Sequence, residues 1–362
     1  MKKNFLIGCC FLLSCFISYS QHSLKAGFDG KEYRDILRIA FGITDTSAQK
    51  MKIENQRTYK MVYRSESGAL DNRWDLWADE NRKIAVINIR GTINTKESWL
   101  ANFYAAMVPA TGSIQVNDST TFNYKMAKDS NAAVHVGWMI GLSYLGPDII
   151  AHIKEYYAKG FKDFIISGHS QGGVLSLLMR SYVEYNGDLP KDIQFKTYAS
   201  AAPKPGNLYY AYDLEYLSGL DWTFRVVNIL DWVPETPFSI QTLDDFNQPN
   251  GLAAFKPAIK KQKLVARWYL NSAYKKLDKS PKKAVMYQQK YLGHRLYTIV
   301  KKTLPQLKEP AYSKGNNYMV AGTPVILRPD EKYKELFPFD GKNTFINHMM
   351  KPYLYLAQLC YP

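Results

Sequence analysis

Ser170 lies between two glycines, each two residues away, in Gly168-His169-Ser170-Gln171-Gly172. The apolar run Phe164-Ile165-Ile166 precedes it, and a helix-favouring stretch from Val174 to Met179 follows. Strand, sharp turn and helix in that order lift a hydroxyl out of a sheet, and so tight a turn requires Gly168 and Gly172 to lack side chains. The same arrangement aims the first N–H groups of the helix, at its partially positive end, toward any oxyanion formed at the turn. That is the chemistry of nucleophilic acyl transfer. The bland alternative is a glycine-rich strand–helix turn or a phosphate cradle, but neither G-x-x-x-x-G-K-[ST] nor G-x-G-x-x-G occurs there.

A serine hydroxyl is a weak nucleophile at neutral pH. It needs an imidazole to take its proton and a carboxylate to hold that imidazole in one tautomer. On a parallel sheet with this kind of elbow the chain order is serine, acid, histidine. Asp231 closes the β-branched run Thr223 to Leu230, which puts it on the same rim as a serine that follows a strand. An aspartate there is equally often a simple turn or cap, and Asp213 and Asp221 sit in helix or turn contexts. Of six histidines only His294 and His348 follow Asp231. His294 falls in a basic helical stretch and His348 on the approach to the last helix, so His348 is the candidate base. His135 reads as structural, and His152 as lying on the solvent side of its helix. Thr92 ends another buried-strand run, Lys83 to Arg90, beside the elbow. Its backbone N–H and hydroxyl are candidates for a second oxyanion donor, the alternative being an ordinary strand-terminal turn.

Several elements must position these groups. Tyr33, Ile36, Leu37 and Ala40 recur at helical spacing. Strands are expected near 59–64, 73–78, 83–90, 164–167, 194–199 and 223–230, and a strand pair or one bent strand at 318–327. A helix is expected through Ile150 to Ala158, a turn-rich aromatic segment from Tyr333 to Gly341, and a closing helix with Pro352 in its first turn. The segment from Glu97 to about Ala133 opens with Trp99, Leu100, Phe103, Tyr104, Met107 and Val108. It fits either a lid over an apolar cleft or a helix packed on the core.

The 362 residues are 46% hydrophobic and 14% aromatic, enough to bury a substantial core. Residues 1–20 have a basic start, an apolar centre and small residues before a cut after Ser20, the pattern of a secretory leader. The alternatives are a lipobox ending at Cys15 or a buried N-terminal helix. Export to the periplasm, the outer membrane or the medium is expected on the first two readings. Of four cysteines only Cys360 lies beyond residue 20, so no internal disulfide is expected in a mature chain. No Cys/His metal spacing is present, and no cofactor is expected. Between Lys256 and Lys308 fifteen Lys and Arg face Asp278 alone, which is +14 of the chain's +15. This helical stretch, part of a segment expected at about 240–310, is either a solvated basic surface or one that adheres to anionic lipid. An exported chain without a recognition motif is not expected to bind nucleic acid.

Taken together these motifs resemble the class 3 lipase family. Ile87 to Thr92 with Ser98-Trp99-Leu100 resembles its strand, oxyanion loop and lid start, and Val134-His135-Val136-Gly137 its motif ahead of the elbow helix. Gly168 to Gly173 resembles its nucleophile elbow. Tyr198 to Pro203, Gly206-Asn207 and Arg225 to Pro234 resemble the segments around its acid. The likeness runs from about Lys83 to Pro234 and resumes near Tyr318 to His348. It implies an α/β-hydrolase fold over 21–362, with a mostly parallel central sheet and helices on both faces, from which the basic helical insertion between acid and histidine is a departure. It further implies Ser170, Asp231 and His348 as the triad, Gln171 and Thr92 as oxyanion donors, and lipid carboxylic esters as substrates. Two other readings stay open: an exported lipid- or partner-binding protein with a vestigial site, and a phospholipase or esterase of small esters.

Overall fold

The computed structural model describes residues 22–44, 59–185 and 187–362, so the leader and Cys15 lie outside the described residues. Helix α1 (Gly30–Thr44) keeps the expected period, with Tyr33, Ile36, Leu37 and Ala40 all buried. Strands β1 (Lys60–Arg64), β2 (Trp74–Asp79) and β3 (Ile84–Ile89) and helix α2 (Lys96–Phe103) follow. Short strands β4 (Met107–Pro109), β5 (Thr111–Gln115), β6 (Thr121–Lys125) and β7 (Ala133–His135) lead into α3 (Val136–Ala158). Strand β8 (Asp163–His169) and helix α4 (Gln171–Tyr185) meet at Ser170. Next come β9 (Gln194–Ser200), β10 (Gly206–Asn207), α5 (Leu208–Ser218) and β11 (Thr223–Asn228). The basic stretch forms α6 (Phe255–Lys260), α7 (Leu264–Gln288), a π-helical segment (Gln289–Arg295) and α8 (Leu296–Thr303). The chain closes with β12 (Tyr318–Met319), β13 (Thr323–Leu327), α9 (Glu331–Leu336) and α10 (Met350–Cys360).

Seven strands pair in the order β1-β2-β3-β8-β9-β11-β13. The five from β3 to β13 run parallel, while β1 and β2 are antiparallel at one edge. Side chains on the central strands alternate between two cores. Ala85, Ile87, Ile89, Phe164 and Ile166 join α3 and α4 on one face, and Ile84, Val86 and Ile165 join α1 and α10 on the other. A strand covered on both sides is apolar at every position, which is why these runs read as continuous hydrophobic stretches. The sheet is thus mostly parallel with helices on both faces, the α/β layering expected. Among the described residues no helix is long and apolar enough to cross a membrane.

Four local expectations change. The 318–327 stretch makes two strands in different sheets: β12 joins the small sheet β12-β10-β7-β4, and β13 closes the edge of the main one. Of the two roles open to residues 97–133, the packed helix is the one present, because Leu100, Ala101 and Tyr104 to Val108 are buried in the core. Phe103 alone of its large apolar side chains is more than half exposed, at 54%. His152 is not on the solvent side. Its Nδ1 bonds the Asp148 carbonyl at 2.9 Å, and Tyr63 and Trp74 from the β1–β2 edge pack over its ring at 3.9 and 5.3 Å between centroids. The turn-rich segment after β13 begins as α9, capped by Asp330, whose carboxylate accepts the Tyr333 N–H.

Candidate functional site

The elbow forms because β8 runs directly into α4 with one residue between them. Ser170 occupies the left-handed region at φ 60°, where an L-residue is held only by surrounding structure. A Cβ on Gly168 would lie 2.3 Å from the Gly172 carbonyl carbon, and one on Gly172 would lie 2.1 Å from the Ile89 oxygen of β3. Both glycines are therefore required by backbone contact. The Ser170 N–H is bonded to the Ser200 carbonyl at 2.9 Å, which ties the turn to β9.

Asp231 and His348 meet across 117 residues: the imidazole Nδ1 lies 2.7 Å from Asp231 Oδ2, with both side chains buried. Asp231 follows the end of β11, and His348 ends a 3-10 turn, Ile346–His348, just before α10. The same carboxylate accepts the Tyr353 hydroxyl at 2.8 Å on Oδ2 and the Val233 N–H at 3.0 Å on Oδ1. Burial, and then the Asp231 charge, push the Tyr353 phenol well above its usual pKa, so it remains a donor. A carboxylate accepts, so His348 donates to Asp231 through Nδ1.

His348 is also held through its backbone. His169, next to Ser170, approaches the His348 carbonyl with Nε2 at 2.7 Å and the Ser200 hydroxyl with Nδ1 at 3.0 Å. Burial, and then the neighbouring His348, lower the His169 pKa to about 3, so its ring is neutral. A carbonyl accepts, so Nε2 donates, Nδ1 must accept from Ser200, and the Ser200 oxygen in turn accepts from Tyr33 at 2.7 Å. One chain of hydrogen bonds thus links α1, β9, the elbow and the loop bearing His348.

Thr92 and Gln171 share another centre, Asn102 on α2. The Asn102 amide donates to the Thr92 hydroxyl at 2.9 Å and accepts from the Gln171 side chain at 2.9 Å and the Trp138 indole at 3.1 Å. Its carbonyl accepts from Nε2 of His135, a ring held neutral by burial with a pKa of about 3. Because the Thr92 oxygen accepts from Asn102, its own proton is free to point elsewhere. The Gln171 N–H is the first of α4 and has no intrahelical acceptor. His135 is structural, as expected: it caps α3 and stacks on Trp138 at 3.6 Å. His294 is remote from this constellation, paired at the surface with Glu309 at 2.8 Å. Among the described residues no cluster of His, Cys, Asp and Glu is arranged to hold a metal ion. Tyr353, Asn102, Ser200 and Tyr33 carry no sequence signal for these contacts.

Aromatic side chains border the site. Trp99 stacks on Phe103 and reaches Phe345, which contacts Trp232 and His348. Trp232 is 42% exposed, so this rim faces solvent.

Residues 86–241 match the model of the family described as "Lipase (class 3)". Over 162 residues the chain is 25% identical to the secreted mono- and diacylglycerol lipase 1 of Fusarium solani, covering 44% of this chain. The match spans 41% of that relative's length. Among solved structures, the triacylglyceride lipase of Rhizomucor miehei overlays with a TM-score of 0.45 at 16% identity, covering 59% of this chain and 77% of that one. A triacylglycerol lipase from Penicillium expansum overlays with a TM-score of 0.42 at 20% identity, over 58% and 75%.

Proposed function

We propose, from the premise that residues 86–241 belong to the class 3 lipase family, that the chain is a serine hydrolase cleaving carboxylic esters of lipids. The observation that carries this reading is the buried 2.7 Å contact between His348 and Asp231, with the His348 carbonyl held by His169, the sequence neighbour of a serine at φ 60°. In the proposed reaction His348 Nε2 takes the Ser170 proton while the serine oxygen attacks the ester carbonyl. The oxyanion accepts from the N–H groups of Thr92 and Gln171. Collapse of the intermediate expels the alcohol, which takes the proton back from His348, and Ser170 is left acylated. Water then repeats the steps, delivering its proton through His348 and releasing the carboxylic acid. The exposed aromatic rim supports an apolar acyl chain. The name of the Fusarium relative supports export.

Labelling by a fluorophosphonate, followed by peptide mapping, tests the reading. Ser170 is expected to carry the label, and Ser170→Ala to abolish both labelling and p-nitrophenyl ester turnover. Turnover retained by that variant refutes the assignment. A folded parent that does not label points to a vestigial site. A panel of acyl chain lengths separates lipid esters from small soluble ones.

A further inference from the structure

Helix α7 takes no part in the hydrogen bonds given above for Asp231, His348, His169 and Asn102, and most of it is uncovered. Of its residues only Val285 and Gln288 are buried, so it is anchored at its C-terminal end. There Ala284, Tyr287 and Gln288 line an apolar cavity of about 460 Å³ with Phe238 and Ile240 from the segment after Asp231. Every residue from Lys263 to Asn271 is exposed, including Leu264 at 84%, Val265 at 82%, Trp268 at 74% and Tyr269 at 67%. At 100° per residue these four side chains share one arc of about 140°. Lys275, Lys276, Lys279 and Lys283 continue the same arc over the following turns, all exposed. Lys282 is held internally by Asp244 and Asp278. The stripe is therefore apolar toward the tip and cationic toward the anchored end.

We propose that α7 docks the protein on an anionic lipid bilayer, with its first two turns in the head-group layer and these lysines against lipid phosphates. The inference extends the lipid-hydrolase reading to the phase in which the substrate is met. Tryptophan and tyrosine favour the membrane–water boundary, and basic residues beside them add attraction to anionic lipid, about fivefold in partition per cation. A second copy of the chain is a poor occupant, because +14 between Lys256 and Lys308 would face +14. A nucleic acid would satisfy the lysines but leave Leu264, Val265 and Trp268 in water. Continuity with the site favours the bilayer as well. Phe238, 77% exposed, lines the cavity at the anchored end of α7 and belongs to the segment that follows Asp231 in the chain.

The test is sedimentation of the full chain with vesicles of phosphatidylcholine alone, or of phosphatidylcholine mixed with phosphatidylglycerol. Binding is expected only to the mixed vesicles and should weaken as salt is raised. The triple variant Lys275→Glu, Lys279→Glu, Lys283→Glu should lose on the order of 100-fold in partition. The double variant Leu264→Ser, Trp268→Ser should also lose binding, with circular dichroism confirming the fold of each. Equal binding to both vesicles, or unchanged binding of either variant, overturns the proposal. So does a dimer in solution that disappears with Trp268→Ser, or duplex DNA binding that survives the double variant while vesicle binding is absent. Ser170→Ala should sediment like its parent. Ester turnover of the parent is read separately: vesicle binding without turnover leaves the docking surface standing and removes the hydrolase reading, and turnover without binding does the reverse.

Discussion

Three donors converge on Asp231, and they do different work. The Val233 N–H and the Tyr353 hydroxyl hold the carboxylate in place, while His348 Nδ1 is held by it. Asp231→Asn should lower kcat by about 10⁴, because an amide nitrogen facing Nδ1 drives the imidazole into the wrong tautomer. Tyr353→Phe keeps the ring and removes both the charge-assisted bond to Asp231 and the acceptor of the Asn228 N–H, so a stability loss of at least about 1.5–3 kcal/mol in urea unfolding is expected. The buried histidines set an acid limit. His135 and His169 are held near a pKa of about 3, against about 6.5 in an unfolded chain. Facing His169 are the Ser200 hydroxyl, the Tyr353 ring and His348, and the charge of Asp231, the partner of His348, acts on the same ring. Between those pH values the unfolded chain binds protons that the folded one does not. Stability therefore falls as pH drops from 6.5 toward 3, by about 1.4 kcal/mol per pH unit for each ring. Urea midpoints measured from pH 7 to 5, where ordinary carboxylates stay ionised, should decline, and a flat profile would contradict the neutral buried rings.

The elbow is fixed by contacts between elements more than by the serine itself. Gly172→Ala puts a methyl 2.1 Å from the Ile89 oxygen, where both sides are backbone and neither can rotate away. Helix α4 must shift off β3, with a stability cost of at least about 1–3 kcal/mol and loss of ester turnover. Thermal melting and turnover of the purified variant check this. A tight elbow leaves its mark in sequence because it excludes side chains, and the covered strands leave theirs because both faces must be apolar. The pairing of Asp231 with His348 is legible in part: Asp231 follows a strand end on the rim of the elbow, whereas His348 is reached only as the histidine after Asp231 that lies outside the basic stretch. Tyr353 was not reachable, being one of 27 tyrosines with nothing local to mark the one that meets a carboxylate. Asn102 carries no such mark, because an amide on a short helix reads as surface and only the approach of α2 to α3 and α4 turns it inward. His152 shows the opposite effect. Helical spacing gave it to solvent, and the β1–β2 edge arrives from distant sequence to cover it.

Across the whole molecule the two ends of the described chain pack together and support the site from behind. Helix α1 lies on α10, and Arg34 reaches the carbonyls of Ala357 and Tyr361. Glu32 pairs with the buried Lys196 of β9 at 2.8 Å, which fixes α1 on the sheet. From that base Tyr33 begins the hydrogen-bond chain through Ser200 and His169 to the His348 carbonyl. Tyr33→Phe cuts the chain at its first link while preserving the ring in the core. Loss of one neutral hydrogen bond should cost about 1 kcal/mol of stability. If the link does no more than pack, melting will shift and kinetics will not. If it orients the loop bearing His348, kcat should fall several-fold with KM unchanged, because the binding surface is untouched while the base is less well placed. His169→Gln cuts the chain one step closer to the base and should give the same kcat-only loss, larger in size. Steady-state kinetics on a soluble ester, read beside thermal melting of both variants, decides between packing and positioning. A kcat equal to the parent's in both would mean that Asp231 and α10 alone hold His348 in register.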